Sequence, residues 1–348
     1  MFDVITIGSA TMDVFVQCED AKIVSVCGKD KCSNFMSYPY GSKMDIENFD
    51  SQVGGGGVNT AVNFANLGFK TSTILKMGDD IYSDGILNFF KKTKVDTSNI
   101  VQNNDLSTGF SIILVSFQGD RTVLAHRGAN SKIKEEDINF DAIKKSKFLY
   151  IAPINGDSNK VLDEIVEFAA KNNVYVCFNA GTTSIKKGFK YLSKILGYAH
   201  IVVMNKEEAS MATQIEVRPD TSTVKFSQET IHPDVKSILK KLKVRDYQVV
   251  VVTDGGAGAY AYDGEKYYFC PIFDALVVST LGAGDAFAST FCAALKKVDL
   301  DIAKALMYAS VNSAGVVSKF GATQGLMTFD EIETKLKENP AFKTIVIE

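Results

Sequence analysis

The sequence predicts an α/β fold: a three-layer, doubly wound sheet of mostly parallel strands, with a small additional β-sheet. Short apolar runs typical of buried strands alternate with longer helix-type stretches through most of the 348 residues. Two regions, 13–50 and 108–125, depart from that alternation because they contain β-type pieces without a helical stretch. A sheet formed by two such excursions beside a large α/β body is expected to act as a lid.

The elements can be assigned in chain order. The predicted strands of the main sheet are Phe2–Gly8, Thr71–Met77, Phe148–Ile151, Val174–Asn179, Ile201–Met204 and Tyr247–Thr253. The predicted helices are Val58–Leu67, Ile81–Lys92, Val161–Lys171, Asp285–Leu295 and Ile302–Lys319. In the lid, Val14–Cys18 and Ile23–Cys27 are predicted strands, and 108–125 is predicted to form two strands joined at the turn dipeptide Gly119-Asp120. We expect a single domain over residues 1–348, with the lid formed by about 13–50 and 108–125.

Composition and charge exclude several functional classes. Hydrophobic residues make up 46% of the chain and charged residues 23%, which is typical of a globular protein with a substantial core. The net charge of −3 provides no basic field for a nucleic-acid backbone, and no apolar run is long enough to span a bilayer. The six cysteines are scattered and the chain has only three histidines, so a zinc site is not expected. The simplest interpretation is a cytoplasmic protein with reduced thiols.

The segment VVSTLGAGDAFASTFCAAL, residues 277–295, places a flexible turn directly before a helix. Backbone N–H groups at a helix start lack internal partners, and glycine lets a ligand approach them closely. Gly282, Ala283 and Gly284 can therefore form an anion cradle. Asp285 could simply cap the helix, but a carboxylate at this place is also what a general base in phosphoryl transfer requires.

A second glycine cluster, GGGGVNTAVNFANLG, covers residues 54–68. It has neither the Walker A spacing nor the dinucleotide fingerprint, which disfavours a nicotinamide-dependent dehydrogenase. A hinge, or a close approach to a small polar ligand, fits better. Asn59, just inside the following helix, offers such a ligand both a donor and an acceptor.

Together, GGGGVNTAVNFANLG and STLGAGDAFAST resemble the two signatures of the ribokinase-like (PfkB-type) carbohydrate kinases. The resemblance extends from Phe2 to about Gly325. It implies ATP-dependent phosphorylation of a hydroxyl on a sugar or nucleoside, with magnesium. It also implies a homodimer joined through the lid, because many sugar kinases of this type are such dimers.

The resemblance also implies a role for individual residues. The positions matching the catalytic base and its anion hole are Asp285, Gly282, Ala283 and Gly284. Those matching or suited to substrate binding are Asp13, Gly55, Gly56, Asn59 and Arg127. Those matching the nucleotide site are Asn179, Asn205, Glu208, Thr253, Gly255, Gly258 and Asn312. No direct metal ligand is implied, since magnesium would be held through ATP phosphates and water near Glu208.

Several of these positions have simpler interpretations. Asp13 could be a turn acid, Asn205 and Glu208 an ordinary helix start, and the segment around Thr253 a hairpin turn. Arg127 could be a surface arginine. The sequence also departs from the family: Ser279 stands where an acid usually helps to form a monovalent-cation site, so potassium activation is not implied. Gly56 stands where ribokinases have lysine.

Sequence features distinguish two rival functions from the preferred one. A nucleoside kinase of the same fold would need an apolar slot for its base, which Phe35, Tyr38 and Tyr40 could provide. A non-catalytic nucleotide or sugar sensor would be expected to lack Asp285 or its glycine turn, and both are present. The interpretation that accounts for most of these features is an ATP-dependent kinase acting on a small sugar.

Overall fold

The computed structural model describes residues 1–17, 21–28, 32–116, 121–218 and 231–347. The strands are β1 (Val4–Ile7), β2 (Thr11–Gln17), β3 (Lys22–Cys27), β4 (Cys32–Ser37), β5 (Asn48–Gly54), β6 (Thr71–Gly78), β7 (Ile100–Asn103), β8 (Gly109–Val115), β9 (Arg121–His126), β10 (Phe148–Ile151), β11 (Tyr175–Asn179), β12 (Ile201–Asn205), β13 (Val249–Thr253), β14 (Ala259–Tyr262), β15 (Tyr267–Cys270) and β16 (Ile345–Ile347). The helices are α1 (Gly56–Asn66), α2 (Ile81–Phe90), α3 (Phe140–Lys144), α4 (Leu162–Lys171), α5 (Thr182–Lys186), α6 (Phe189–Leu196), α7 (Lys206–Thr213), α8 (Pro233–Leu242), α9 (Ala283–Lys297), α10 (Ile302–Val317) and α11 (Phe329–Glu338).

The main sheet has ten strands in the order β16-β15-β14-β13-β12-β11-β10-β1-β6-β7. The seven neighbouring strands β7, β6, β1, β10, β11, β12 and β13 are parallel. Strands β14, β15 and β16 extend the sheet beyond β13, each antiparallel to its neighbour. The strand order reverses at β1, which lies between β6 and β10. In open α/β sheets, ligands bind at the carboxyl ends of the strands near such a reversal.

Alternating side chains of the strands face two helical layers. Ile5 and Ile7 belong to the core formed with α4, α6 and α8, whereas Val4 belongs to the opposite core formed with α1, α9 and α10. Both faces are thus covered, which explains why the strands are near-continuous apolar runs. The predicted three-layer, mostly parallel fold is confirmed.

A separate four-stranded sheet, here called the small sheet, has the order β5-β2-β8-β9. Strands β2 and β8 pair in parallel, and the outer pairs are antiparallel. A hairpin of β3 and β4 accompanies it. The two predicted excursions therefore do supply a second sheet. The predicted turn at Gly119-Asp120, and Cys18 at the end of a predicted strand, lie outside the described residues.

The prediction of reduced thiols is wrong for one pair, because Cys27 and Cys32 form a disulfide. They lie directly opposite each other on β3 and β4, with their Cα atoms 4.0 Å apart. Three other cysteines, Cys177, Cys270 and Cys292, are free and buried. Because disulfides persist mainly in oxidising compartments, the cysteines no longer support a cytoplasmic location, which stays a prediction. Within the described ranges, no helix combines the length and apolar character needed to cross a membrane.

Candidate active site

The two glycine motifs, far apart in sequence, meet in the structure. Helices α1 and α9 pack on the same face of the main sheet, and Asn59 Nδ2 donates a hydrogen bond of 2.8 Å to Asp285 Oδ2. Gly56 lies beside the same carboxylate, since a Cβ there would be 3.5 Å from Asp285 Oδ1. The fold therefore brings together the residues predicted to bind substrate and the residue predicted to act as base.

Asn59 is 6% exposed, and its Oδ1 has no hydrogen-bond partner within the described part of the chain. A buried amide oxygen without a donor is costly, by about 1–3 kcal/mol. A hydroxyl group on a ligand is the kind of donor that would remove this cost. The orientation of Asn59 is set at its other end, where Nδ2 is held by Asp285.

Asp285 lies in the first turn of α9 and is half-buried. Burial raises the pKa of its carboxyl, and the hydrogen bond from Asn59 opposes that rise. A carboxylate whose pKa is raised toward the working pH is a better proton acceptor than an ordinary surface aspartate. The local environment therefore suits a general base.

The turn before α9 presents free backbone donors. Gly282 adopts a left-handed conformation, with φ 76°, and is the N-cap residue of the helix. In the described residues, no acceptor lies within hydrogen-bonding distance of the N–H groups of Gly284 and Asp285, while Ala283 N donates a long bond of 3.4 Å to Thr280 O. A Cβ at Gly284 would meet no atom within 4 Å. The turn is therefore open to an anion at a helix start.

Asp13 is not in a turn but on β2 of the small sheet, where it is 7% exposed. Burial raises the pKa of Asp13, and hydrogen bonds with Ser111 and Thr11 partly offset that rise. A Cβ at Gly54 would overlap the Asp13 carboxylate and displace it. Gly55, with φ 98°, connects β5 to α1. Asp13 thus belongs to the small sheet, whereas Asn59 and Asp285 belong to the main body.

The predicted nucleotide-site residues fall partly together. Asn179, Asn205 and Thr253 are the last residues of the adjacent strands β11, β12 and β13, so they share the carboxyl edge of the sheet. Asn205 Oδ1 accepts the Glu208 N–H at 2.8 Å, and Glu208 Oε2 accepts the Asn205 N–H at 3.1 Å. These two side chains therefore form a capping box, as the simpler interpretation expected.

Glu208 is electrostatically linked to the site. Burial raises the pKa of its carboxyl, and the negative charges of Glu207 and Asp285 raise it further. Among the described residues, no group of three or more His, Cys, Asp or Glu side chains could hold a metal ion. Magnesium near Glu208, held through ATP phosphates and water, therefore stays a prediction.

The segment after β13 connects it to the antiparallel strand β14 through a 3₁₀ turn at Gly255–Ala257. Gly255 and Gly258 both have positive φ, 49° and 106°. An ion pair of Lys206 with Asp254 joins this connection to α7.

Two predicted site residues make no contact with the other predicted site residues in the described part of the chain. Arg127 is exposed just after β9, and no polar side chain in the described ranges bonds to it. Asn312 is fully buried: its Nδ2 donates to Asn63 Oδ1 (2.9 Å) and Thr290 Oγ1 (2.8 Å), and its Oδ1 accepts from Met327 N (2.8 Å). Because every polar group of this side chain has a partner inside the protein, the structure does not place Asn312 in an adenine pocket.

Sequence reasoning missed two residues near the site. Asn63 bonds to α9 one turn below Asn59, and its spacing of four residues on an otherwise apolar helix face was an available signal. Arg121 of β9 donates a bond of 2.8 Å from one guanidinium nitrogen to Thr280 Oγ1, at the turn before α9. No local pattern indicates that contact, because 159 residues separate its partners.

Comparisons with known proteins identify the family of the chain. Residues 3–328 match the pfkB family carbohydrate kinase. The bifunctional ribokinase/ribose-5-phosphate isomerase A of Fructilactobacillus sanfranciscensis is 26% identical over 328 residues, which are 92% of this chain but 57% of that protein. The 5-dehydro-2-deoxygluconokinase of Geobacillus thermodenitrificans is 28% identical over 300 residues, 82% of this chain and 84% of that protein.

Solved structures share the fold. The ribokinase of Arabidopsis thaliana complexed with ribose and ATP has a TM-score of 0.75 at 20% identity, covering 97% of this chain and 99% of that one. The nucleoside kinase of Burkholderia thailandensis in complex with inosine has a TM-score of 0.74 at 15% identity, covering 98% and 99%. At these identities the likeness concerns the fold alone. Because the family match spans nearly the whole sequence and includes both glycine motifs, the chain belongs to the pfkB family of carbohydrate kinases.

Proposed function

We propose that the protein is an ATP-dependent kinase that transfers the γ-phosphoryl group to a hydroxyl of a small sugar. The observation that carries this proposal is the hydrogen bond between Asn59 and Asp285, formed beside free backbone N–H groups at the start of α9. It supports the proposal because Asn59 would bind the hydroxyl, Asp285 would accept its proton, and the turn would bind the phosphoryl group.

In the proposed reaction, Asp13 and Asn59 bind hydroxyls of the sugar. The carboxylate of Asp285 takes the proton of the attacking sugar hydroxyl. At the same time the hydroxyl oxygen forms a bond to the γ-phosphorus, and the bond between the γ-phosphorus and the oxygen of the leaving ADP breaks. The N–H groups of Gly284 and Asp285 donate hydrogen bonds to the transferred phosphoryl oxygens, where negative charge is concentrated. Magnesium, when bound near Glu208, neutralises phosphate charge.

We further propose that the small sheet is a lid on a single-domain body. Arg121 and Thr280 bridge the two parts, and Phe15 of β2 contacts Phe320 of the body with ring centroids 4.7 Å apart. Closure excludes water, which otherwise competes with the sugar as phosphoryl acceptor.

A homodimer joined through the lid is proposed from its exposed apolar side chains. The large apolar residues exposed on strands of the lid include Val24, Val26, Phe35, Phe49, Val123 and Leu124. Such a surface on a sheet with free edges favours pairing with a second copy. Light scattering at working concentration tests this, and a monomeric mass would refute it.

A sugar is favoured over a nucleoside by the placement of the lid aromatics. Phe35 is 55% exposed and the Tyr40 side chain is fully exposed, so these two rings do not line an enclosed slot for a base. Ser279 supplies no carboxylate beside the turn; its Oγ accepts from Leu281 N. We therefore propose no monovalent-cation site there.

The test is a screen of sugars, keto-sugar acids and nucleosides with ATP, read by ADP release, followed by Asp285→Asn. A general base contributes about 10²–10⁴ in rate, so kcat should fall by that factor. Asp301→Asn is the control, because Asp301 is an acidic residue at the start of another helix, where it is the N-cap of α10. A fall of less than about tenfold in Asp285→Asn would contradict the assigned role.

A further inference from the structure

A buried polar network joins three helices directly beneath the site. Asn63 of α1 is fully buried, and its Nδ2 donates to Ser289 Oγ (2.7 Å) and Thr290 Oγ1 (2.9 Å) of α9. Its Oδ1 accepts from Asn312 of α10, which also donates to Thr290. Together with the Asn59–Asp285 bond, these bonds are the specific contacts between α1 and α9, whose aromatic side chains Phe64 and Phe291 pack in one apolar cluster.

The network repeats the contact of the site one helical turn deeper. Asn63 follows Asn59 by four residues, and Ser289 follows Asp285 by four, so both pairs lie on the facing sides of the same two helices. The Ser289 hydroxyl also donates to the backbone oxygen of Asp285 itself. A shift of α1 along α9 would therefore change both contacts together.

Helix α10 extends the same network to the anion cradle. Ser313 Oγ donates to Ala283 O (3.1 Å), inside the turn that presents the free N–H groups. The preceding residue, Asn312, accepts a hydrogen bond from Met327 N at its Oδ1. The helix that carries the Asn312 side chain thus also supports the turn that faces the phosphoryl group.

We propose that Asn63 is a positioning residue for phosphoryl transfer, which holds the amide of Asn59 against the carboxylate of Asp285 by fixing α1 to α9. This inference rests on the proposed function. Asn63 touches neither substrate nor nucleotide; it acts through Asn59. A displacement of reacting groups by about 1 Å can cost about 10²-fold in rate, so a loss of register between the helices has a large kinetic effect.

The test compares Asn63→Ala with Asn99→Ala. Asn99 is a matched control because it is also buried, donates to a serine hydroxyl (Ser72 Oγ, 2.9 Å) and accepts from an asparagine (Asn139 Nδ2, 2.8 Å). Both variants lose the same kinds of bond and should lose similar stability in urea. Only Asn63→Ala should lower kcat, by about ten- to a hundredfold, with the KM for ATP nearly unchanged.

A double-mutant cycle separates positioning from general destabilisation. If Asn63 acts through Asn59, then Asn63→Ala should have almost no further effect on kcat in an Asn59→Ala background. The acid limb of the kcat profile should move to higher pH in either single variant, since the Asn59 bond opposes the rise in the pKa of Asp285. The other titratable groups that act on Asp285, Glu208 of α7 and Tyr150 of β10, are the same in all variants.

Several outcomes would overturn the inference. They are equal losses of kcat in Asn63→Ala and Asn99→Ala, additive losses in the cycle, or an acid limb that does not move. If Asn63→Ala does not fold, Thr290→Val removes the shared hydroxyl with little change of shape and takes its place in the same cycle. Absence of any phosphoryl transfer by the unaltered protein would instead refute the proposed function.

Discussion

Replacing Gly282 by alanine should both destabilise the fold and abolish most of the activity. Its φ of 76° lies in the left-handed region, which costs a non-glycine residue about 1–2 kcal/mol. The new Cβ would lie 2.6–2.7 Å from three atoms of Ala322, and relieving such overpacking costs about 1–3 kcal/mol. We therefore expect the free energy of unfolding to fall by about 2–5 kcal/mol.

Relief of that overlap moves the turn, and with it the N–H groups that we propose bind the phosphoryl group. Loss of one such donor lowers kcat by about 10²–10³ in oxyanion-hole enzymes, and the same factor is expected here. The assays are urea unfolding and ADP release at saturating substrate.

The control for the backbone effect is Gly68→Ala. Gly68 also has a positive φ, 91°, but a Cβ there would meet no atom within 4 Å. Gly68→Ala should lower the free energy of unfolding by about 1–2 kcal/mol and leave kcat unchanged. Equal destabilisation of the two variants, or full activity in Gly282→Ala, would refute the reasoning.

Three further predictions concern a buried ion pair, the contact of the small sheet with the body, and the carboxyl of Asp285. Lys76 and Asp137 form an ion pair of 2.6 Å with side chains 5% and 7% exposed. Because Lys76→Met leaves a buried carboxylate without its partner, it should lower the free energy of unfolding by about 3–5 kcal/mol. The control Lys147→Met removes the exposed ion pair with Asp3 and should lower it by less than about 1 kcal/mol. Arg121→Gln should weaken the contact of small sheet and body, which predicts faster ATP hydrolysis without sugar relative to sugar phosphorylation in a coupled assay. Partial burial raises the pKa of the Asp285 carboxyl, so the folded state binds this proton more tightly than the unfolded state. The free energy of unfolding therefore falls as the pH rises from the usual aspartate range through the raised pKa. Asp285→Asn should therefore be more stable than the unaltered protein at neutral pH, and the gain should vanish in urea melts below the usual aspartate range. An unchanged free energy of unfolding for Lys76→Met would contradict the first prediction, and an unaltered ratio of ATP hydrolysis to sugar phosphorylation for Arg121→Gln the second. A difference in stability between Asp285→Asn and the unaltered protein that does not vary with pH would contradict the third.

Most of the main sheet was predictable because its strands are buried on both faces. The segment Phe148–Ile151 was predicted and observed with identical bounds, since a short apolar run between polar residues has few other uses. The start of α9 was placed two residues late, because Gly282 rather than Asp285 occupies the N-cap position. A left-handed glycine is compatible with too many turns for its cap role to be inferred from sequence.

The site was predictable only where chemistry is concentrated in a motif. Asn59 and Asp285 each lie in a glycine-rich segment, and the structure brings them together. The adenine role of Asn312 stays a prediction, because the structure shows this side chain buried and bonded within the protein. Asn63 was overlooked because its partners are on helices more than two hundred residues away along the chain.

The placement of Asp13 has an evolutionary consequence. Its carboxylate is carried by the small sheet, while Asn59 and Asp285 are carried by the body, and the chain passes between these two parts at four connections. The length of molecule that fits between the two carboxylates therefore depends on how far apart the two parts come to rest. Substitutions in the four connections would retune the choice of acceptor while every reacting group is conserved, which would allow one reaction to diversify over many sugars.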